Sequence, residues 1–597
     1  MSHADPDIHS FARPSEARVT HVALDLKADF SAKRLSGTAR LTLDRRPDAT
    51  AVVLDTRDLT IEQVTDPAGQ KMPFAIDPAD PILGSALTVP LPSGLSEIVV
   101  HYQTSPTADA LQWLDPAQTA GRKRPYLFSQ GEAILTRTWI PTQDSPGIRQ
   151  TYSARIVVPE GLRAVMSAEQ LTPDGVAAEG GRAFEFRLTH PIPPYLVAIA
   201  VGDIAFRATG PRTGVYAEGP VVAAAASEFA DLEKMVAAAE VLLGPYQWGR
   251  YDVLVLPPSF PFGGMENPRL TFATPTVIAG DRSLVSLVAH ELAHSWSGNL
   301  VTNATWSDFW LNEGVTSYVE LRIMEALYGP GRAAMLEVLA RTELMNEIAR
   351  LGGPKSPDTI LHVDLKGRNP DDGATTIPYD KGAALLRLIE QTVGRERFDA
   401  YLKGYLDRHA FQSITTATFL ADLRSNLIRG DEALEKTIRL DEWVYKPGLP
   451  DNATIPHSDA LARVEQDAKA FVSGAKASSF KTASWTTQEW QHFLESLPKT
   501  MTPAQLDDLD RSFTLTSRGN SEVLFAWLRV TIRNHYDPAM PALERFLTSQ
   551  GRRKFLRPLY EDLMATDWGK PLAKRIYASA RPLYHSVAIS TLDQIVR

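Results

Sequence analysis

The sequence predicts a multidomain α+β protein that is β-rich at its N-terminal end and helical at its C-terminal end. A chain of 597 residues is too long for one hydrophobic core, and domains of ordinary size would divide it into about three or four. Apolar residues alternate with polar ones in residues 1–205, whereas helical spacing dominates residues 461–597.

Residues 1–205 are predicted to form an N-terminal β-sheet domain. Apolar positions in 22–30 and 39–43 alternate with polar neighbours, and Gly, Pro and Asp separate such runs. A period of two places the apolar side chains on one face of a strand. We therefore expect a large antiparallel sheet with one buried face.

A second, α+β domain is predicted over residues 206–446. Helical spacing extends through 224–243, a strand-like run follows at 251–256, and helical segments continue after a Pro- and Gly-rich loop. The helices include the functional motifs described below.

A linker and an all-helical domain complete the chain. Residues 447–460 contain Pro447, Gly448 and Pro450, which interrupt regular structure. Helical spacing then returns, for example at 525–532 and 542–547.

Composition excludes several classes of protein. The net charge of −9 argues against nucleic-acid binding, and no apolar run reaches the roughly 18 residues of a membrane span. The polar N-terminus lacks the apolar segment of a secretory signal. Without cysteine, any metal must be held by His and carboxylates. We expect a cytoplasmic protein with no obligate protein partner.

The segment His290-Glu291-Leu292-Ala293-His294 has the pattern of a zinc site. On a helix, the imidazoles of His290 and His294 share one face and can bind one Zn²⁺, with Glu291 beside them. With 13 His among 597 residues, chance would produce this template about 0.01 times. A pair of structural histidines is the alternative explanation.

Catalytic sites of this kind need a third ligand, usually a glutamate. Glu313 follows His294 in the first turn of a predicted helix that ends near Gly329. Glu320 lies two turns farther on roughly the same face, where it could hold a ligating imidazole or remain a solvated carboxylate.

Two motifs and several longer segments carry a resemblance to a known family. The zinc pattern with its glutamate spacing resembles that of the gluzincin aminopeptidases, peptidase family M1. Gly263-Gly264-Met265-Glu266-Asn267 matches the exopeptidase signature of that family. Further segments are similar to the subgroup of leukotriene A4 hydrolase and bacterial aminopeptidases: 126–144, 244–320, 377–386 and 551–559.

The resemblance implies an architecture and a cofactor. It predicts an N-terminal β saddle, a thermolysin-like catalytic domain and an all-α, armadillo-like C-terminal domain. It also implies one zinc ion per chain, bound by His290, His294 and Glu313.

The resemblance further assigns residues to the reaction. Tyr379 matches the tyrosine that donates its phenolic proton to the oxyanion. Asp371 matches an acidic residue of the epoxide-hydrolase relatives. Ala374 replaces a tyrosine expected in those relatives, and Glu132 replaces a glutamine, so both departures favour a peptide substrate.

An aminopeptidase needs carboxylates to bind the α-ammonium group of its substrate. Glu266 is the first candidate, and Gln130 with Glu132 is the second, because residues i and i+2 of a strand point the same way. Taken alone, those two would be a polar strand face. The main chain of the glycine-rich loop is expected to bind the peptide as an added β-strand: Gly263, Gly264 and Met265.

Arg552 and Lys554 match a basic pair that anchors the carboxylate end of a short peptide or a fatty acid. The alternative is a solvated basic helix end. If the match holds, the helical domain closes the far end of a tunnel and di- and tripeptides are favoured.

The leading hypothesis is a zinc aminopeptidase in which Glu291 acts as general base. A lipid epoxide hydrolase using the same pocket is the alternative. A structural zinc protein is disfavoured because base, ligands and oxyanion donor are all present. An endopeptidase is disfavoured because Glu266 and Glu132 would block a continuous chain.

Overall fold

The computed structural model describes residues 7–596, which form the predicted β-rich, α+β and helical regions in that order. The N-terminal strands are β1 (Ala17–Asp29), β2 (Arg34–Arg45), β3 (Ala51–Thr56), β4 (Thr60–Thr65), β5 (Lys71–Met72), β6 (Ala75–Ile76), β7 (Ser85–Pro90), β8 (Glu97–Gln103), β9 (Leu111–Leu114), β10 (Tyr126–Ser129), β11 (Gln150–Val158), β12 (Arg163–Met166), β13 (Glu169–Gln170), β14 (Val176–Ala178), β15 (Gly181–Ile192) and β16 (Ile199–Gly202).

Among the described residues, the largest sheet has nine strands in the order β13-β15-β11-β1-β2-β8-β4-β5, with β14 beside β15. Val22, Leu24 and Leu26 of β1 are buried, as their alternation predicts. The sheet departs from the predicted antiparallel pairing at one place, where β1 and β11 pair in parallel. A long connection between them, which includes a second sheet, allows β11 to enter beside β1 in the same direction.

The central region adds the strands β17 (Ile204–Ala208), β18 (Thr213–Glu218), β19 (Tyr251–Val255), β20 (Gly264–Met265), β21 (Leu270–Ala273), β22 (Val301–Asn303) and β23 (Gln412–Ile414). Its helices are α1 (Gly219–Glu228), α2 (Leu232–Leu243), α3 (Ser286–Ala293), α4 (Trp310–Tyr328), α5 (Pro330–Arg350), α6 (Gly382–Val393), α7 (Arg395–Arg408), α8 (Thr416–Leu423), α9 (Glu432–Ile438) and α10 (Leu440–Tyr445). A five-stranded sheet in this part of the described chain has the order β17-β18-β19-β21-β20, so β20 is an edge strand.

The C-terminal helices are α11 (Asp459–Val472), α12 (Thr487–Glu495), α13 (Pro503–Phe513), α14 (Ser521–Arg533), α15 (Met540–Ser549), α16 (Arg553–Met564), α17 (Gly569–Ala580) and α18 (Ser586–Ile595). On α14, Val523, Trp527 and Val530 recur at helical spacing and are buried in a core built from C-terminal residues. None of the helices in residues 7–596 combines the length and the apolar character needed to span a bilayer.

Two close backbone approaches position the elements around the site. Gly314 of α4 meets Gly382 of α6 so closely that a Cβ atom on Gly314 would lie 2.7 Å from the Cα of Gly382. Between the central and C-terminal regions, the N–H of Gly551 donates to the carbonyl of Pro258 at 2.8 Å. A cavity of about 1340 Å³ lies between these regions and is lined by the motif residues His290 and Glu291 of α3 and Glu313 of α4.

Candidate active site

Packing of α3 against α4 brings the three predicted zinc ligands together. The Nε2 atoms of His290 and His294 are 3.2 Å apart, and they lie 3.3 and 3.4 Å from Oε2 of Glu313. Zinc bonds of about 2.0–2.1 Å in a tetrahedral site separate ligand atoms by about 3.3–3.4 Å. The donor set and its spacing therefore fit a zinc ion.

The other ring nitrogen of each histidine is also held. Nδ1 of His290 is 3.1 Å from Oε2 of Glu320, and Nδ1 of His294 is 2.8 Å from the carbonyl oxygen of Ser297. Both partners accept hydrogen bonds, so Nδ1 carries the proton and Nε2 keeps its lone pair for a metal. Glu320 thus takes the positioning role that its helical spacing indicated.

Glu291 lies between the histidines on α3 and reaches across to the glycine-rich loop. A Cβ atom on Gly264 would lie 2.2 Å from its Oε1, so only glycine allows this approach. Burial, opposed by the two imidazoles, raises the pKa of Glu291 to about 8. A buried carboxylate with a raised pKa can hold a proton during catalysis.

Glu132 and Glu266 bring two more carboxylates to the site. Carboxylate oxygens of these residues and of Glu313 lie within 4.8 Å of one another. Burial, and then neighbouring carboxylates, raise the pKa of Glu132 well above its usual range. Oε1 of Glu132 and Oε1 of Glu266 are both buried, and neither accepts a hydrogen bond from a donor in residues 7–596. These oxygens are therefore free to accept hydrogen bonds from a ligand, and a cationic donor would also offset the repulsion among the carboxylates.

Gln130 occupies a different place from the one predicted. The strand β10 ends at Ser129, so Gln130 and Glu132 do not share a strand face, and that expectation is wrong. Gln130 is fully buried, and its Nε2 lies 3.1 Å from Sδ of Met265, behind the cavity wall. Glu132 alone lines the cavity, because the chain turns immediately after β10.

The glycine-rich loop forms the edge strand β20. Gly264 and Met265 pair with Ala273 and Phe272 of β21, which leaves the opposite edge of β20 without a strand in the described chain. Gly263 adjoins it and lines the cavity with Gly264 and Glu266. An unpaired edge can accept an extended peptide.

Tyr379 stands beside the zinc ligands. Its ring stacks on His290 with centroids 5.9 Å apart, and Phe309 meets it edge-on at 6.0 Å. Lys381, two residues on, fixes this turn by donating to the carbonyls of Thr359 and Lys446, each at 2.9 Å. Burial, and then nearby carboxylates, raise the pKa of Tyr379 well above its usual range, so the phenol keeps its proton.

Asp371 and Ala374 line the same cavity from the turn before Tyr379. Asp371 is half-buried in the cavity wall, where desolvation raises its pKa while the charge of Arg553 and the nearby backbone N–H of Ala133 lower it. Asp371 therefore lies close in space to Ala133, the residue that follows Glu132.

Arg552 and Lys554 lie at the start of α16 and line the far part of the cavity. Both bind Glu522: Arg552 Nη1 is 3.0 Å and Lys554 Nζ 3.2 Å from its oxygens. Arg552 is 6% exposed and is not a solvated helix end, whereas the side chain of Lys554 is 40% exposed. Sequence reasoning missed Glu522, because its only local feature is a place in the first turn of α14.

Comparison with known proteins gives matches along nearly the whole chain. Family models match for the peptidase M1 N-terminal domain (residues 18–196), the peptidase family M1 domain (230–443) and the leukotriene A4 hydrolase C-terminal domain (485–596). The chain is 38% identical to leukotriene A-4 hydrolase of Xenopus laevis over 606 residues, 98% of each chain. It is 35% identical to aminopeptidase B of Mus musculus over 636 residues, 99% of this chain and 96% of that one.

The fold is likewise similar to a solved structure. Yeast LTA4 hydrolase in complex with bestatin superposes with a TM-score of 0.91 at 32% identity, covering 100% of this chain and 98% of that chain.

Proposed function

The chain belongs to peptidase family M1 and is a zinc-dependent aminopeptidase of its leukotriene A4 hydrolase-like subgroup, and we propose that it removes N-terminal residues from short peptides, with di- and tripeptides preferred. One zinc ion per chain would be held by His290, His294 and Glu313. When bound, the ion lowers the pKa of a water molecule and polarises the scissile carbonyl.

The observation that carries the substrate assignment is the pair of unpaired carboxylate oxygens on Glu132 and Glu266. Both are buried within reach of Glu313, so they lie beside the zinc ligands. An α-ammonium group has three donors and a positive charge, and it satisfies both oxygens at once. The enzyme therefore cleaves the first peptide bond of a substrate that has a free N-terminus.

Glu291 is the general base and Tyr379 the oxyanion donor in this proposal. The Glu291 carboxylate accepts a proton from the attacking water and then delivers it to the leaving amine. The phenolic O–H of Tyr379 donates to the oxyanion of the tetrahedral intermediate. The peptide main chain pairs with the free edge of β20, which places its first carbonyl beside Glu291.

The preference for short peptides rests on the proposal that the helical domain limits the far end of the cavity. The helices α14 and α16 contribute Glu522, Arg552 and Lys554 to its wall. These three side chains sum to one positive charge, which suits the C-terminal carboxylate of a di- or tripeptide. Gln130 supports the site indirectly by holding Met265.

A second activity, hydrolysis of a lipid epoxide, is favoured by one observation. Asp371 is a half-buried acid with a raised pKa on the same cavity as Tyr379 and the zinc ligands. Ala374 and Glu132 depart from the pattern expected of such relatives, so we rank this activity below peptide hydrolysis. Rapid formation of a dihydroxy acid that depends on Asp371 would reverse the ranking.

A panel of aminoacyl chromogenic amides tests the main proposal. The enzyme should hydrolyse free-amine substrates, lose activity with a zinc chelator and regain it with added Zn²⁺. Peptides blocked by N-acetylation should resist cleavage, because Glu132 and Glu266 would face a neutral amide. Efficient cleavage of blocked peptides would instead support an endopeptidase.

A further inference from the structure

Arg553, between Arg552 and Lys554, differs from both in its surroundings. Its neighbours bind Glu522, whereas the Arg553 guanidinium lies 5.4 Å from the centre of the Phe262 ring. Among residues 7–596, no carboxylate oxygen lies within 4 Å of it. Arg553 lines the cavity, and its backbone N–H donates to the carbonyl of Pro261 at 2.8 Å, which fixes the start of its side chain.

The charge that Arg553 faces is Asp371. Burial lowers the pKa of Arg553, and Asp371 leads the groups that counter this effect, ahead of Tyr379. Asp371 in turn feels Arg553 more than any other charge. The two groups attract each other without an ion pair within 4 Å, and both line the cavity, so a substrate group can lie beside them.

This part of the cavity adjoins the place of the substrate's N-terminal residue. The backbone N–H of Ala133, which follows the ammonium-binding Glu132, lies close enough to Asp371 to lower the pKa of its carboxyl group. A residue whose ammonium group is bound by Glu132 and Glu266 must place its side chain in the neighbouring space. Ala133, Phe262, Asp371, Ala374, Tyr379 and Arg553 all line the cavity, and we assign them to that space.

We propose that Arg553 determines specificity by excluding lysine and arginine from the N-terminal position of the substrate. The inference rests on the proposed aminopeptidase function. Asp371 and Arg553 carry opposite charges, and the other residues assigned to this space are apolar or aromatic. A basic side chain would place a second cation near Arg553 in a buried setting, where like charges repel strongly. Uncharged N-terminal side chains are therefore preferred.

The substitution Arg553→Met tests this, because it removes the charge and keeps the length of the side chain. The measurement is kcat/KM for the p-nitroanilides of arginine, lysine and leucine, expressed as Arg/Leu and Lys/Leu ratios. Both ratios should rise by about tenfold or more in Arg553→Met. Adding Asp371→Asn to that variant should reverse the rise, since the basic side chain then loses its partner.

Arg557→Met is the matched control. Arg557 lies one turn farther along α16 and lines the same cavity, but it is paired with Glu561 at 3.0 Å. Its removal should leave both ratios within about twofold of the wild type. Arg553→Lys keeps the charge and should keep the exclusion.

Ratios in Arg553→Met within about twofold of the wild type would overturn the proposal. So would a wild-type enzyme that hydrolyses arginine or lysine amides faster than leucine amide, a result that needs no variant to fold. Zinc content and thermal melting verify that each variant is folded. Failure of the aminopeptidase function itself would be distinct, because no free-amine amide would then be cleaved.

Discussion

The two ends of the cavity balance their charges in opposite ways. At the catalytic end, Glu132 and Glu266 present buried oxygens that no donor of the described chain satisfies. At the far end, Arg552 and Lys554 already bind Glu522. Buried polar atoms without a partner gain most from a ligand, whereas atoms that already have a partner gain less. We therefore expect the effects of substitution to decrease from the zinc ligands to the far end.

The largest effect is expected for the zinc ligands. His294→Ala or Glu313→Ala removes a donor and should lower both zinc content and activity, the latter by more than about 10³-fold. Glu320→Gln should have a smaller effect than loss of a ligand. Glu320 only orients His290, and loss of such a group weakens metal affinity by about 10–100-fold. Metal analysis and amide hydrolysis measure both. Stoichiometric zinc with normal activity in Glu313→Ala would mean that the third ligand lies elsewhere.

Glu291→Gln should separate metal binding from catalysis. The three ligands remain, so zinc content should be unchanged, while loss of the base lowers kcat by about 10²–10⁴-fold. Metal analysis and steady-state kinetics on one preparation test both statements. An empty site, or activity within about tenfold of the wild type, would contradict the assignment of the base.

Glu266→Ala should reduce recognition of the α-ammonium group. A hydrogen bond to a charged group contributes about 1.5–3 kcal/mol, so kcat/KM for free-amine substrates should fall by about 10–100-fold. Zinc content should not change, because Glu266 is not a ligand in this proposal. If the loss of activity instead paralleled a loss of zinc, Glu266 would belong to the metal site.

The smallest effect is expected for Arg552→Ala, and it should depend on the substrate. A tripeptide carries a C-terminal carboxylate that Arg552 can bind, whereas a single-residue chromogenic amide does not. Because Glu522 already engages Arg552, we expect a loss of about 1.5 kcal/mol in kcat/KM for tripeptides, the lower end for a charged hydrogen bond. Small amides should be nearly unaffected. Equal losses on both substrates would indicate that the basic pair is only structural.

The catalytic end and the far end of the cavity also differ in how well the sequence predicts them. His290, His294 and Glu313 were predictable because helical geometry fixes side chains four residues apart, and the packing of α3 on α4 supplies the third. The pairing of Arg552 with Glu522 was not predictable, since it joins two helices 30 residues apart along the chain. Long-range ion pairs depend on tertiary packing, which local spacing does not contain.

Two errors show where local patterns fail. The helical spacing of 224–243 is continuous, yet α1 ends at Glu228 and α2 begins at Leu232. The side chain of Asp231, in this break, binds Lys234 and Arg282 instead of capping α2. Likewise, Gln130 and Glu132 read as strand residues, although β10 ends before them. In both places, contacts outside the segment decide where the element ends.

The contact between Gly314 and Gly382 has a mechanical consequence. Backbone touches backbone there, with no flexible side chain to compress or rotate. The helix that supplies Glu313 and the turn that supplies Tyr379 are consequently fixed relative to each other. Any widening of the cavity to admit a substrate must then come from the C-terminal helical region. That region is joined to the loop before β20 by the main-chain hydrogen bonds Gly551–Pro258 and Arg553–Pro261.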